Sequence, residues 1–139
     1  MLTRLDVLWI LPVFPAGADE AGEVRDLFAR LAEALSTSSA AEFLRRFDRR
    51  MPAYARLERD VVALLNQFEV SSSVELGEDK GDGRERTVEV DWMLELRSLA
   101  PTGPTLRRRA TLRVTLVRRG KAWQITALEP ASFFAPPAG

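Results

Sequence analysis

The chain has 139 residues with 20 basic and 20 acidic side chains, so its formal net charge is zero. Hydrophobic residues make up 46% and charged residues 29% of the sequence, a balance typical of one globular domain that is large enough to bury a core. The sequence has no cysteine and no histidine, which excludes disulfides, thiol nucleophiles, histidine bases and the common zinc ligands. We therefore expect no metal, no cofactor and, given the neutral charge, no nucleic-acid partner.

Residues 1–18 have the layout of a secretory signal peptide. Arg4 lies near the start, an apolar run extends from residue 7 to 14, and Ala16-Gly17-Ala18 precedes the acidic Asp19. The run is far shorter than the ~20 apolar residues that span a bilayer, so we expect no stable membrane span. We expect an exported protein, periplasmic or extracellular, whereas retention of residues 1–18 as an extra helix or arm would leave it in the cytoplasm.

Three amphipathic helices are predicted between residues 23 and 68. Apolar residues recur in each at three- and four-residue steps, which places them on one face of a helix. Ser39 and Glu42 have the spacing of a capping box at the start of the second helix. Pro52 suits the first turn of the third helix, which we expect to be the longest. The apolar stripes are Val24, Leu27, Phe28, Leu31 and Leu35; Phe43, Leu44 and Phe47; and Tyr54, Leu57, Val61, Leu64, Leu65 and Phe68.

Four arginines crowd the end of the second helix, namely Arg45, Arg46, Arg49 and Arg50. Positive charge is favoured at this end of a helix because the last carbonyl groups carry partial negative charge. The sequence alone therefore favours a solvated helix end over an anion-binding site.

After the third helix the apolar pattern changes from helical to alternating, which predicts four β-strands. The first, over residues 69–76, is rich in serine and suits the edge of a sheet. Residues 77–84, with the sequence GEDKGDGR, are predicted to form a polar hairpin loop. In the next two strands the even-numbered residues are mostly apolar and face the helices, whereas Glu89, Asp91 and Glu95 face away.

Arginines on the third strand are predicted to complement acids on the second. With the core faces matched, antiparallel pairing brings Glu95 near Arg109 and Asp91 near Arg113. Opposite charges across a sheet contribute roughly 0.2–1 kcal/mol per pair. The sheet itself thus explains the run Arg107-Arg108-Arg109, which again argues against a nucleic-acid partner.

The last hairpin and the tail complete the predicted sheet. A two-residue turn at Arg119-Gly120 would place Leu116 opposite Trp123, with glycine able to take a positive φ. Phe133 and Phe134 follow the last strand. Two adjacent aromatic residues in such a position are expected to fold back onto the open edge of the core rather than to bind a partner.

Three helices followed by a four-stranded antiparallel meander resemble the nuclear transport factor 2-like superfamily, including its SnoaL-like branch. The resemblance is carried by the first helix EVRDLFARLAEAL, the aromatic second helix AAEFLRRFD and the closing hairpin LVRRGKAWQITAL. It implies an α+β fold in which three N-terminal helices pack on a curved four-stranded antiparallel meander, as a cone with a cavity. We expect residues 19–134 to form this cone domain and residues 135–139 to be a proline-rich tail.

The resemblance also implies that the cavity lies between the third helix and the concave face of the sheet. We expect a noncatalytic domain that binds a small apolar ligand or serves in protein association. A homodimer through the sheet is the partner that the family suggests. The predicted ligand-binding residues are Phe28, Phe43, Phe47, Tyr54, Leu57, Val90 and Trp92.

The alternative is an isomerase or cyclase of the SnoaL-like class. Ketosteroid-isomerase-like members use a pocket aspartate as base, with a tyrosine and a protonated acid as oxyanion donors. In this chain Tyr54 would face the cavity and Asp48 would supply the acid. Dehydratase-like members rely on a histidine and aspartate pair, and this chain has no histidine.

Overall fold

The computed structural model describes the backbone of residues 16–137 and the side chains of residues 20–137. The predicted leader therefore lies outside the described residues, apart from the backbone of its last three, which open the first helix. In chain order the elements are α1 (Ala16–Ser36), α2 (Ala40–Leu44), α3 (Tyr54–Gln67), β1 (Phe68–Gly81), β2 (Glu85–Ser98), β3 (Thr105–Arg119), β4 (Ala122–Glu129) and a 3-10 helix (Ala131–Phe134).

The four strands form one antiparallel sheet in the order β1-β2-β3-β4, and the helices cover one of its faces. The predicted α+β class, with three helices on a four-stranded antiparallel meander, is confirmed. The expectation that α3 is the longest helix is wrong, because α1 has 21 residues and α3 has 14. β1 is an edge strand, as its serine-rich sequence predicts.

The short helix α2 is positioned by its cap and by a contact with β4. The Ser39 hydroxyl accepts a hydrogen bond from the Glu42 amide at 3.2 Å, which is half of the predicted capping box. The Glu42 carboxylate completes no box, since it pairs with Arg45 at 2.7 Å. After α2, the Asp48 amide donates to the Ile125 carbonyl at 2.8 Å. The connection between α2 and α3 is thereby tied to the sheet.

The predicted loop over residues 77–84 is shorter than expected, because β1 continues to Gly81. A β-bulge between Leu76 and Asp79 absorbs the irregular stretch and keeps the strands paired. The turn contracts to residues 82–84, where the Asp82 carboxylate accepts the amides of Arg84 at 2.8 Å and Glu85 at 3.0 Å. These backbone hydrogen bonds, that of Glu85 foremost, lower the pKa of Asp82.

The pairing of β2 with β3 differs from the predicted register by two residues. Glu95 lies opposite Arg107 rather than Arg109, and Asp91 lies opposite Thr111 rather than Arg113. The cause is the connecting loop, which is centred one residue earlier than predicted. A shift by two leaves every side chain on its predicted face.

The last hairpin shows a second shift of two residues. Arg119 pairs with Ala122, so that the turn residues are Gly120 and Lys121, with Gly120 at a φ of +64°. Leu116 therefore lies opposite Ile125 and not opposite Trp123, as predicted. An irregularity between Thr115 and Leu116 then lets Leu128 of β4 turn inward beside Val114.

The core lies between the inner face of the sheet and the helices. Even-numbered side chains of β2 and β3 point into it, and those at the centre of the sheet are no more than 1% exposed. The predicted assignment of the two faces is confirmed. The inner residues of the sheet are Val88, Val90, Trp92, Leu94, Leu96, Leu112, Val114 and Leu116, and the helices add Phe28, Leu31, Leu35, Phe43, Leu57, Val61 and Leu64.

Candidate functional site

Four aromatic rings meet inside the cone, each from a different element. Trp92 on β2 has ring-centroid distances of 6.1 Å to Phe28 of α1 and 6.4 Å to Phe43 of α2, with its plane steeply inclined to both. Phe134 of the 3-10 helix lies 5.0 Å from Trp92 and 5.2 Å from Phe43. Edge-to-face contacts of this kind stabilise beyond the area that they bury. These four residues are called the ring cluster below.

The polar atom of the ring cluster already has a partner. The Trp92 indole N–H donates to the Ser72 hydroxyl of β1 at 2.8 Å. A buried indole N–H without a partner would cost free energy, so this hydrogen bond fixes the orientation of the ring. Trp92 is one of the predicted ligand-binding residues, and the structure pairs its polar atom with Ser72.

The 3-10 helix is held in place by Arg108. One nitrogen of its guanidinium donates to the carbonyl groups of Phe133 and Ala135, at 2.6 Å each. Burial lowers the pKa of Arg108 from its ordinary value. The expectation that the two phenylalanines fold back on the core is confirmed, because Phe133 is 5% exposed and Phe134 is fully buried.

The predicted ligand-binding residues fall in two places. Phe47 and Tyr54 line an open cleft of about 520 Å³ between α2 and α3. Phe47 is only 3% exposed and also belongs to the core, where its ring lies 5.1 Å from that of Phe43. The other predicted residues lie in the core and are at most 1% exposed; they are Phe28, Phe43, Leu57, Val90 and Trp92.

Asp48 and Tyr54, the two residues of the enzyme alternative, line this same cleft. One carboxylate oxygen of Asp48 accepts the Arg50 amide at 2.8 Å, and the other accepts from the Arg119 guanidinium at 2.7 Å. Both oxygens of the acid are therefore engaged. Arg45, Arg49, Arg50, Glu58 and Gln124 also line the cleft, together with Ala41 and Leu44.

The outer face of the sheet carries ion pairs. Arg109 makes two hydrogen bonds to the Asp91 carboxylate, at 3.0 and 2.5 Å, and Arg107 donates to Glu95 at 3.2 Å. The hydrogen bonds and charge of Arg109 lower the pKa of Asp91, and those of Asp91 raise the pKa of Arg109. Met93 is 44% exposed among these pairs.

A buried arginine closes the end of the cone at the β1–β2 hairpin. Arg86 is 9% exposed and donates to Asp79 at 2.9 Å, to Glu20 of α1 at 3.0 Å and to the Asp82 carbonyl at 3.0 Å. A Cβ added at Gly83 would lie 2.7 Å from the Glu20 carboxylate. The network joins α1 to the hairpin, and sequence analysis missed this link because Glu20 is 66 positions from Arg86.

Glu23 makes a second link between α1 and the sheet. Its carboxylate accepts from the Trp123 indole N–H at 3.1 Å and from Arg118, whose guanidinium lies 4.7 Å above the Trp123 ring. These hydrogen bonds, that of Trp123 first, lower the pKa of Glu23. The partners are 100 and 95 positions from Glu23, so no local pattern reveals the contact.

Within residues 20–137, no three acidic side chains gather as the ligands of a metal ion would. None of the helices in the described part of the chain combines the length and the apolar character that crossing a bilayer requires.

Comparison with known proteins identifies the fold. No protein-family model and no curated protein matches the chain. A scytalone dehydratase-like protein from Novosphingobium aromaticivorans is 12% identical, with a TM-score of 0.71 over 81% of this chain and 83% of that one. A nuclear transport factor 2-like superfamily protein from Salmonella enterica is 11% identical, with a TM-score of 0.65 over 81% and 90%. A conserved protein from Planctomyces limnophilus is 13% identical, with a TM-score of 0.66 over 81% and 94%.

The chain thus has the nuclear transport factor 2-like cone fold, and the resemblance drawn from the sequence is confirmed at the level of the fold. Identities this low carry no residue role from one protein to another. One fold also hosts many activities, so the function has to be argued from the surfaces of this chain.

Proposed function

We propose that this chain is a noncatalytic cone domain that works through protein association. The observation that carries the proposal is the ring cluster. Phe134 lies against Trp92 and Phe43 at 5.0 and 5.2 Å, in the space between helices and sheet where an interior ligand would have to bind. Close packing of this kind leaves the outer surfaces as the places where a partner can be recognised.

The outer face of the sheet suits a second copy of the same chain. Asp91 and Glu95 form an acidic row on β2, and Arg107 and Arg109 form a basic row on β3 beside it. A two-fold axis would bring the acidic row of one copy over the basic row of the other, with Met93 near the axis. Such a patch is complementary to itself, as a symmetric dimer interface must be.

The test is the molecular mass in solution, measured by light scattering over a range of concentrations. We expect the intact protein to dimerise, and expect Arg107→Glu together with Arg109→Glu to shift it toward monomer, because like charges would then face each other. The control is Arg25→Glu, an exposed position on α1. An intact protein that stays monomeric at millimolar concentration would exclude the proposed dimer. If the double variant and the control dimerise equally, the outer face of the sheet is not the dimer interface.

Binding of a small apolar ligand is the second candidate, and Phe134 is the residue that decides it. Phe134 is part of a tail segment, and its removal would leave a space bordered by Trp92 and Phe43. We expect benzene to leave the melting temperature of the intact protein unchanged and to raise that of Phe134→Ala, since a ligand stabilises the state that binds it. A rise in the intact protein as well would favour ligand binding over association.

The enzyme alternative has one supporting observation, which is that Tyr54 and Asp48 line the same cleft. A general base must be free to take a proton from its substrate. Asp48 instead accepts hydrogen bonds from Arg119 and from the Arg50 amide, which favours a structural role for its carboxylate.

We also propose that the protein is exported and loses residues 1–18. The support is the sequence layout of these residues, with Ala16-Gly17-Ala18 before the acidic Asp19. Cleavage there would keep Glu20 and its ion pair with Arg86 in the mature chain. The intact mass of the protein recovered from a secreting bacterial host should correspond to residues 19–139, and a full-length mass from the cytoplasmic fraction would contradict export.

A further inference from the structure

The cleft between α2 and α3 has a fixed frame. Its volume is about 520 Å³, and it is bordered by α2, the connection from α2 to α3, the first turns of α3, and Gln124 of β4. The Asp48 amide donates to the Ile125 carbonyl, and the Ile125 amide donates to the Arg46 carbonyl at 2.9 Å. The connection is therefore held against β4 by backbone hydrogen bonds, as an added parallel strand would be.

The charge of the cleft is positive. Arg49 and Arg50 line it, and neither has an ion-pair partner among residues 20–137. Asp48 does not cancel them, because its carboxylate already pairs with Arg119 at 2.7 Å. Arg45 adds a third guanidinium, which is paired with Glu42 in an exposed position. Exposed pairs of that kind are weak, so Arg45 can turn to an incoming anion at small cost.

The walls of the cleft are chemically mixed. Tyr54 supplies a partly buried ring with its phenol, and Phe47 and Leu44 add the small parts of their surface, 3% and 7%, that are exposed. Guanidinium groups bind carboxylates and phosphates through paired hydrogen bonds. An aromatic ring beside them favours an anion that carries an apolar body.

We infer that this cleft binds a small organic acid, with its anionic group on Arg49 and Arg50 and its apolar body on the ring of Tyr54 beside Phe47. The anionic group is a carboxylate or a phosphate, since both match a guanidinium. The site lies outside the ring cluster and away from the outer face of the sheet. It is therefore independent of the dimer proposed above, and either can fail alone.

Glu58 allows a test in which two kinds of substitution should change the affinity for an anion in opposite directions. It lies one helical turn after Tyr54 and brings negative charge to the same cleft. Neutralising Arg49 and Arg50 should weaken the binding of an anion, and neutralising Glu58 should strengthen it. A purely apolar cleft would respond to neither change.

The experiment is a titration of the full chain, followed by the amide NMR signals of Arg49, Arg50 and Gln124. Benzoate and phenyl phosphate are the carboxylate and phosphate probes, acetate lacks the apolar body, and benzyl alcohol lacks the charge. We expect saturable shifts with benzoate or phenyl phosphate, weaker shifts with acetate and none with benzyl alcohol. The stronger of the two aromatic anions identifies the preferred anionic group.

The variants complete the test. Arg49→Gln with Arg50→Gln should weaken binding by about two- to fivefold per charge, as expected for partly solvated ion pairs. Glu58→Gln should strengthen it by about twofold, and Arg59→Gln, an exposed arginine on α3 outside the cleft, should leave it unchanged. Benzoate binding that is unaffected by the double substitution, or matched by benzyl alcohol, would overturn the inference.

Discussion

The two faces of the sheet are built from the same strands and behave in opposite ways. Trp92 and Met93 are neighbours on β2, yet Trp92 is 1% exposed and Met93 is 44% exposed. The inner face is buried and closely packed, and its contacts hold the fold together. The outer face carries solvated ion pairs, each of which contributes little to stability. The residues that define the cone are therefore separate from those that are free to meet a partner.

Truncating one residue on each face tests whether the two faces contribute differently to stability. Trp92→Ala should lower the free energy of unfolding by about 3–5 kcal/mol, because it removes a ring that contacts three other rings. Met93→Ala should change it by no more than about 0.5 kcal/mol. Urea unfolding of both variants measures the difference, and similar losses in the two would contradict the assignment of the faces.

Arg86 is a buried charge at the end of the cone, beside the β1–β2 hairpin. Arg86→Met should lower the free energy of unfolding by about 2–3 kcal/mol, since Glu20 and Asp79 would lose their partner while remaining partly buried. This loss is smaller than the loss expected for a fully buried ion pair, because the side chains of the two acids are 18% and 20% exposed.

A matched variant at the same place separates the contribution of the ion pair from that of packing. Glu20→Gln with Arg86→Met removes an acid together with the arginine, and should recover part of the lost stability. If the double variant is as unstable as the sum of the two single variants, the ion pair between them contributes nothing.

The smallest effect is expected on the outer face, at Asp91. Because Arg109 lowers the pKa of Asp91 in the folded protein, the carboxylate stabilises the fold above its unfolded pKa of about 3.9. That contribution is lost as the pH falls through the folded pKa. Asp91→Asn should therefore be slightly less stable than the intact protein at pH 7, and equally stable in strong acid.

Salt provides the control for this last prediction. The difference in stability between Asp91→Asn and the intact protein at pH 7 should shrink in about 1 M sodium chloride, where exposed charges are screened over roughly 3 Å. A difference that persists in strong acid or in high salt would mean that Asp91 acts through something other than its charge.

The alternating pattern of the strands was sufficient to predict which residues face the core, since side chains repeat every two positions. It was insufficient to predict the register. Glu95 opposite Arg107 and Glu95 opposite Arg109 both bury the same apolar face, so the pattern cannot distinguish them. The conformation of the loops decides between such registers, as Gly120 does by taking the first position of its turn.

The candidate sites were predictable to a similar extent. The sequence indicated that Tyr54 and Asp48 are near each other, and both line the cleft. The ion pair between Asp48 and Arg119 could not be predicted, because Arg119 is 71 positions away. It also lies in the hairpin whose register was predicted wrongly. The contact between Phe134 and Trp92 was equally hidden, since the general tendency of apolar tails to fold back does not specify a target.

The position of Phe134 along the chain has a consequence for how the protein is made. A ribosome synthesises a chain from its N-terminus at about 5–20 residues per second. Phe28, Phe43 and Trp92 are therefore all made before the ring that they pack against, and Arg108 is made before the carbonyl groups that it binds. Until residue 134 is available the ring cluster is incomplete, and the surfaces of Phe43 and Trp92 that Phe134 covers stay accessible to a chaperone.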